Sequence, residues 1–167
     1  MSAHVHMITG LTGAGKSTYA ERLRRDLAGV RFSIDDWNAN LFFMDRAPTS
    51  DFDWFYERVQ RCCRQMRETA EQVLETTTPV VFDCGFTNLH ERQIFYDWAD
   101  GLGVALTLHF VDVDRDTRWA RVGQRNSERG ETFALEVTRE MFDFMETIWE
   151  APKAEELEAR NGVVITA

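Results

Sequence analysis

The residues best suited to chemistry lie near the start of the chain, in the run Gly10, Leu11, Thr12, Gly13, Ala14, Gly15, Lys16, Ser17 and Thr18. From Gly10 to Ser17 the run fits the pattern G-x-x-x-x-G-K-[ST], in which the backbone N–H groups of a glycine-rich loop surround phosphate oxygens. In that pattern the lysine places a positive charge beside the outer phosphates, and the serine hydroxyl is a ligand for Mg²⁺. We therefore predict that this run binds a nucleoside triphosphate, with Lys16 and Ser17 in those two roles.

The elements predicted on either side agree with this motif. Residues 4–9 have the pattern of a short buried strand, and residues 17–27 have that of a helix. A helix that begins at the loop turns the positive end of its dipole toward the phosphates. The alternative is a glycine-rich turn with a structural role only, but the strand before the motif and the helix after it favour phosphate binding.

A carboxylate ends another predicted strand. Residues 79–83 form a compact apolar run that closes with Asp83. In open parallel sheets, ligands bind beyond the carboxyl ends of the strands. Asp83 is therefore a candidate to hold Mg²⁺, directly or through its water shell. The structural alternative is an aspartate that caps a turn at Cys84 and Gly85.

Two adjacent aspartates, Asp35 and Asp36, follow the predicted strand at residues 30–34. Neighbouring side chains on an extended segment point to opposite sides, so only one of them would face the phosphates. A carboxylate in that place could accept the proton of an attacking hydroxyl. The alternative is an N-cap for a helix that starts near Trp37. We assign the catalytic base to Asp35 and keep Asp36 as the second candidate.

Three arginines, Arg118, Arg121 and Arg125, recur at spacings of three and four residues, which places them on one face of a predicted helix at residues 116–125. Arg129 follows in a polar break. Such arginines can neutralise charge on a phosphoryl group during transfer. The alternative is a solvated helix face that pairs with nearby acidic residues.

Composition and charge narrow the classes of function. The chain has 167 residues, a length that suits one domain spanning residues 1–167. Its formal charge is −9, which opposes non-specific binding of nucleic acid. The cysteines Cys62, Cys63 and Cys84 are odd in number and form no C-x-x-C pair, which indicates a reducing compartment. We see no signal peptide and no apolar run long enough for a membrane span, so we expect a cytoplasmic protein.

Predicted strands alternate with predicted helices along the whole chain, which favours an α/β protein whose parallel sheet is covered on both faces. The further strands are expected at residues 104–113 and 163–166, and further helices at residues 53–77, 88–99, 133–149 and 155–160. The aromatic residues between the second and third strands are expected mainly in the core rather than as a stacking platform. They are Trp37, Phe42, Phe43, Trp54 and Phe55.

Four segments together resemble the small P-loop kinases: residues 10–18, residues 33–36, residues 80–83 and the arginines at 118–125. That family includes AAA-type ATP-dependent predicted kinases, the kinase domain of polynucleotide 5′-kinase, chloramphenicol phosphotransferase and zeta toxin. The resemblance implies a three-layer P-loop NTPase fold with a five-stranded parallel sheet in the order 2-3-1-4-5. It also implies ATP on the P-loop, Asp35 as the base that deprotonates the acceptor hydroxyl, and a lid that carries Arg118, Arg121 and Arg125.

The leading hypothesis is an ATP-dependent kinase that phosphorylates a hydroxyl of a small-molecule acceptor with Mg²⁺. The polynucleotide kinases that this chain resembles usually carry an arginine three residues after the base. This chain has Asn38 at that position, which disfavours a nucleic-acid acceptor. The alternatives are a polynucleotide 5′-hydroxyl kinase, a zeta-toxin-like nucleotide-sugar kinase, and a module that binds or hydrolyses ATP without an acceptor. We expect residues 38–78 to build the acceptor pocket, although no motif there identifies the acceptor.

Overall fold

The fold is built on a single parallel β-sheet. A computed structural model describes residues 3–47, 49–128 and 136–166. Its strands are β1 (His4–Thr9), β2 (Val30–Ser33), β3 (Val80–Gly85), β4 (Ala105–Asp112) and β5 (Val163–Thr166). They pair in the order β2-β3-β1-β4-β5, and every pairing is parallel. The predicted fold class and strand order are therefore confirmed.

Helices connect the strands and cover both faces of the sheet. They are α1 (Lys16–Asp26), α2 (Ile34–Leu41), α3 (Phe52–Glu75), α4 (Leu89–Leu102), α5 (Arg115–Glu128), α6 (Arg139–Ile148) and α7 (Ala154–Ala159), with a 3-10 turn at Phe43–Asp45. One apolar core packs α3 and α4 against a face that includes Met7 and Phe82. A second core packs α1 against the opposite face through Ile8 and Val111. Two cores on one sheet give the predicted three layers.

Local capping shifts one helix from its predicted place. The side chain of Ser33 accepts a hydrogen bond from the backbone N–H of Asp36 at 3.3 Å, so α2 begins at Ile34 and not near Trp37. Neither Asp35 nor Asp36 is the cap, and both lie in the first turn of the helix. The prediction that they extend a strand and point to opposite sides was wrong, since successive residues on an α-helix are about 100° apart.

Other boundaries differ less. The long helix α3 begins after Asp51, whose carboxylate accepts from the N–H of Trp54 at 3.0 Å. Of the predicted helix at residues 133–149, residues 133–135 lie outside the described residues, and residues 136–138 are not helical because α6 begins at Arg139, after the Thr138 cap. The polar break predicted from Asn126 was placed too early, since α5 continues to Glu128, and Arg129 lies outside the described residues. Among the helices that the structure describes, none is both long and apolar enough to cross a membrane.

Three histidines lie together on the sheet face that α1 covers. Nδ1 of His6 and Nε2 of His109 are 3.0 Å apart, and the other ring nitrogen of His109 is 2.8 Å from the hydroxyl of Tyr19. His4 stacks on His6 with ring centroids 4.5 Å apart. Burial and the neighbouring histidines lower the pKa of His6 to about 3, and burial lowers the pKa of His109 to about 4. Both rings are therefore neutral near pH 7.

Candidate active site

The glycine-rich loop that joins β1 to α1 is packed too closely for side chains at two of its glycines. A Cβ on Gly10 would lie 2.5 Å from the carbonyl oxygen of Val111, and a Cβ on Gly13 would lie 2.5 Å from that of Arg118. Gly13 also has a φ of +82°, a conformation that an L side chain disfavours. The loop is therefore fixed between the end of β4 and helix α5, and α1 begins directly after it.

Lys16 is the first residue of α1, and its Nζ donates a hydrogen bond to the carbonyl oxygen of Leu11 at 3.1 Å. Burial lowers the pKa of Lys16, while the nearby carboxylates of Asp83 and Asp35 act in the opposite direction. The same carboxylates that the sequence singled out are thus electrostatic neighbours of the P-loop lysine. Ser17 lies beside it and lines the cleft above the loop.

Asp83 lies two residues before the end of β3, which continues past the predicted strand end to Gly85, and its side chain is only 4% exposed. Its Oδ2 accepts a hydrogen bond from Nη2 of Arg31 at 2.7 Å. The other terminal nitrogen of Arg31 lies 3.4 Å from the carboxylate of Asp36. The candidate metal ligand is therefore part of a three-residue ionic group that connects β2, β3 and α2.

Sequence reasoning missed Arg31. The arginine interrupts a short strand, and parallel pairing places Ser33, two residues later, opposite Asp83. A cation on a strand beside one that ends in a carboxylate was the available signal, but it required the order of the strands. Among the described residues, Nε of Arg31 is buried without a hydrogen-bond partner.

Asp35 and Asp36 diverge at the start of α2. Both line the cleft, but Asp36 turns toward Arg31, whereas Asp35 interacts electrostatically with Lys16. Asp35 keeps access to solvent through the open cleft, although protein atoms surround it on most sides. This crowding raises the pKa of Asp35, as does the negative charge of Asp83, while Lys16 acts against the shift. A carboxyl with a raised pKa next to a phosphate-binding loop can accept a proton.

The three arginines of α5 have two different environments. Arg118 is only 3% exposed and lies behind the loop, where Nε donates to the carbonyl oxygen of Val113 at 2.9 Å and Nη1 to that of Thr12 at 3.3 Å. Its Nη2 forms an ion pair with Glu146 at 2.7 Å, a close approach without hydrogen-bond alignment. The expectation that Arg118 shares a phosphate-facing surface with the other two arginines does not match this placement.

Arg121 and Arg125 line the cleft together with Lys16. Nη1 of Arg121 donates to the carbonyl oxygen of Ala14 at 3.2 Å, so this arginine stays beside the loop. Within the described part of the chain, Nε of Arg125 is a buried donor with no hydrogen-bond partner. Buried donors of charged groups normally have partners, and an anion in the cleft would supply one.

Apart from Asp83 and Arg118, which lie behind its wall, these groups border one cleft with a volume of about 950 Å³, at the upper end of the range for ligand sites. Its polar end carries the loop and these charged and polar residues: Thr12, Gly13, Gly15, Lys16, Ser17, Thr18, Arg31, Ser33, Asp35, Asp36, Asn38, Arg121 and Arg125. Further polar residues line the cleft from the segments that carry its apolar wall: Arg46, Ser50, Asp51, Glu136 and Thr138. Its other end is mainly apolar: Phe43, Phe52, Phe55, Val59, Val137, Met141, Phe144 and Met145. Phe43 and Phe55, which were expected in the core, thus lie on the wall of the cleft.

The polar end suits a triphosphate in its chemistry. The backbone loop, Lys16 and two arginines supply donors and positive charge on one side. The hydroxyl of Ser17 and the carboxylate of Asp83 are oxygen donors of the type that Mg²⁺ prefers. No cluster of three or more metal-ligating side chains occurs in residues 3–47, 49–128 and 136–166. Mg²⁺ at nucleotide sites needs no such cluster, because phosphates and waters complete its coordination.

Comparison with known proteins agrees with this geometry. A family model described as an AAA domain matches residues 5–152. No curated protein matches the sequence.

Solved structures share the fold at low sequence identity. A putative kinase from Chloroflexus aurantiacus has a TM-score of 0.74 and 14% identity, over 99% of this chain and 85% of that one. Kti12 of Chaetomium thermophilum in complex with ADP-AlF3 has a TM-score of 0.72 and 15% identity, over 97% and 88% of the two chains. The APS kinase of Mycobacterium tuberculosis in complex with AMPPNP and APS has a TM-score of 0.68 and 16% identity, over 99% and 88%. The chain therefore has the fold of the small P-loop kinases.

Proposed function

The chain belongs to the AAA domain family, and we propose that it is an ATP-dependent phosphotransferase that moves the γ-phosphate of ATP to a hydroxyl of a small-molecule acceptor. One observation carries the proposal: Lys16, Arg121, Arg125 and Asp35 line the same cleft. A module that only binds nucleotide needs the cations, but it has no need of a carboxylate with a raised pKa beside them. Similar folds among proteins named as kinases support the same reading.

The cations have separate roles in this proposal. Backbone N–H groups of the loop and Nζ of Lys16 bind the phosphates, as in other P-loops. Arg121 and Arg125 stabilise the charge that develops on the transferred group, and this role would give a partner to Nε of Arg125, which has none among the described residues. Ser17 and Asp83 would hold Mg²⁺, which neutralises phosphate charge when it is bound.

Asp35 is the proposed base. As the acceptor oxygen forms its bond to the γ-phosphorus, the hydroxyl proton passes to the carboxylate of Asp35. The bond from the γ-phosphorus to its bridging oxygen breaks, and ADP leaves with that electron pair. A raised pKa brings the carboxyl closer to the pH of the reaction, which is where a general base is most effective.

Arg118 and Arg31 are positioning residues in this account. Arg118 holds the carbonyl oxygen of Thr12 and so fixes the loop from behind. Arg31 holds Asp83 and Asp36 through its two terminal nitrogens, which leaves Asp35 as the aspartate of the helix start that does not pair with Arg31. Neither role requires contact with the transferred phosphoryl group.

The direct test uses ATP labelled on its γ-phosphate, with Mg²⁺ and a panel of hydroxyl compounds. We expect the label to appear on an acceptor with the wild-type protein and not with Lys16→Ala. Label released only as inorganic phosphate, at the same rate with and without every acceptor, would contradict the proposal. That result would instead indicate an ATP-hydrolysing module.

A further inference from the structure

Three segments of the chain together form the apolar end of the cleft. It is formed by aromatic and methionine side chains from the 3-10 turn, from the start of α3 and from α6, and we call it the aromatic end: Phe43, Phe52, Phe55, Met141, Phe144 and Met145. The rings of Phe52 and Phe144 come from two different helices and meet edge to face, with centroids 5.5 Å apart. Phe43 and Phe55 form a similar pair at 6.3 Å.

Two of these rings expose far more surface than the neighbouring core rings. Phe52 is 53% exposed and Phe144 is 44% exposed, whereas Phe142, two residues before Phe144, is completely buried. Apolar surface gathered in a cleft, rather than scattered over the exterior, is typical of a ligand site. It is continuous with the polar end, since both belong to one cavity.

Three of the polar side chains near the aromatic end already have partners, and Ser50 and Glu136 also line the cleft there. The carboxylate of Asp51 caps α3 by accepting from Trp54, and the hydroxyl of Thr138 caps α6 by accepting from the N–H of Met141 at 3.2 Å. The guanidinium of Arg46 packs over the ring of Phe55, 5.1 Å from its centroid. A polyol seated here would have to exchange the water at its hydroxyls for what these groups leave free, and each hydroxyl left without a partner is costly.

A planar apolar ligand would bury little polar surface at the aromatic end and would contact its rings. Ring faces and edges at fixed angles favour a stacked or edge-to-face aromatic partner. Methionine side chains adapt to irregular shapes and contact ring edges favourably. The site therefore offers surface for a flat body at one end and a proton acceptor, Asp35, at the other.

We propose that the acceptor is a compact alcohol with a planar aromatic body, either an arylalkyl alcohol or a nucleoside, whose ring occupies the aromatic end while its hydroxyl lies at Asp35. The inference rests on the proposed function, because it names the substrate class of the same site. The hydroxyl gives its proton to Asp35 and forms the new oxygen–phosphorus bond, and ADP is the leaving group.

The experiment compares four acceptor pools with labelled ATP and Mg²⁺: arylalkyl alcohols, nucleosides, sugars with sugar alcohols, and an oligonucleotide with a free 5′-hydroxyl. We expect transfer to one of the first two pools, and the active pool distinguishes the two sources of the ring. Transfer confined to sugars or to the oligonucleotide would overturn this inference and leave the proposed kinase intact. Transfer to no pool, with ATP still hydrolysed, would overturn both.

Ring variants test the location. Phe52→Leu and Phe144→Leu keep apolar bulk but remove the ring face, so we expect each to raise the KM of the aromatic acceptor about three- to tenfold. The KM of ATP should stay unchanged. The control is Leu102→Ala, which changes an exposed apolar residue at the end of α4, away from the cleft. An unchanged acceptor KM in both ring variants, with wild-type melting temperatures, would place the acceptor elsewhere.

Discussion

The contrast between Arg118 and Arg125 gives a quantitative test of how α5 works. Arg118→Met removes a buried guanidinium that contacts two backbone carbonyl oxygens and Glu146. Breaking a buried ion pair from one side costs about 3–5 kcal/mol. The side chain of Glu146 is 28% exposed, so water can reach its carboxylate once Arg118 is removed. We therefore expect a loss of about 3 kcal/mol in the free energy of unfolding, the lower end of that range. For a chain of this length that corresponds to a fall in Tm of about 6–12 °C.

Arg125→Met should behave in the opposite way. Its Nε has no hydrogen-bond partner among the described residues, so the free energy of unfolding should change by less than about 1 kcal/mol. The kcat for phosphate transfer should fall about 10²-fold, the effect expected when one donor to transition-state charge is lost. Thermal denaturation and initial-rate kinetics on both variants make the comparison. An equal loss of stability in the two variants, or full activity in Arg125→Met, would refute this division of roles.

Three further predictions follow from the charged and titratable groups. Lys16→Ala should abolish most of the rise in Tm that ATP with Mg²⁺ gives, because a ligand stabilises only the state that binds it, while the Tm without nucleotide stays near wild type. Arg31→Met leaves the buried carboxylate of Asp83 unpaired and should destabilise the protein by about 3 kcal/mol in urea denaturation. The lowered pKa values of His6 and His109 mean that the unfolded chain takes up protons below about pH 6.5, whereas the folded rings stay neutral to about pH 4. The contribution of these two histidines to the free energy of unfolding should therefore be fully present near pH 7.5. At pH 5.5 the free energy of unfolding should be about 2 kcal/mol lower, after allowance for the partial exposure of the two rings. His6→Gln should reduce that pH dependence, and an unchanged slope would show that His6 does not contribute.

The sequence predicted the glycine-rich loop and the strand and helix on either side of it because that information is local. A glycine-rich loop between a strand and a helix has few possible conformations, and its lysine and serine follow from the helix that begins there. Asp83 was singled out for a similar reason, since it lies near the carboxyl end of a buried strand, although β3 continues to Gly85. The sheet order came from family resemblance, and the observed pairing confirms it.

The rest depends on contacts between distant residues. Helical spacing gives the angle between Arg118 and Arg121, but it does not give the rotation of α5 against the loop, and that rotation decides which arginine is buried. Arg31 pairs with Asp83 only because β2 lies beside β3, 52 residues further along the chain. Phe43 and Phe55 are residues of the type that usually fills a core. That they face a cleft becomes visible only once the helices are packed together.

The start of α2 shows how one hydrogen bond can change a functional prediction. The hydroxyl of Ser33 caps the helix, so the two aspartates belong to a helical turn and not to a strand end. Asp36 then reaches Arg31, while Asp35, on the same wall of the cleft, interacts electrostatically with Lys16. Asp35 remains the predicted base, now because its neighbour is paired and not because of strand alternation.

The most direct test of the central claim compares Asp35→Asn with Asp36→Asn, in steady-state transfer and in ATP binding. We expect Asp35→Asn to lower kcat on the order of 10²–10⁴-fold while the Kd of ATP changes little, because the amide keeps the shape but cannot take the proton. Asp36→Asn should have a much smaller effect on kcat. Normal transfer by Asp35→Asn to an identified acceptor would contradict the account, and so would loss of transfer in Asp36→Asn alone.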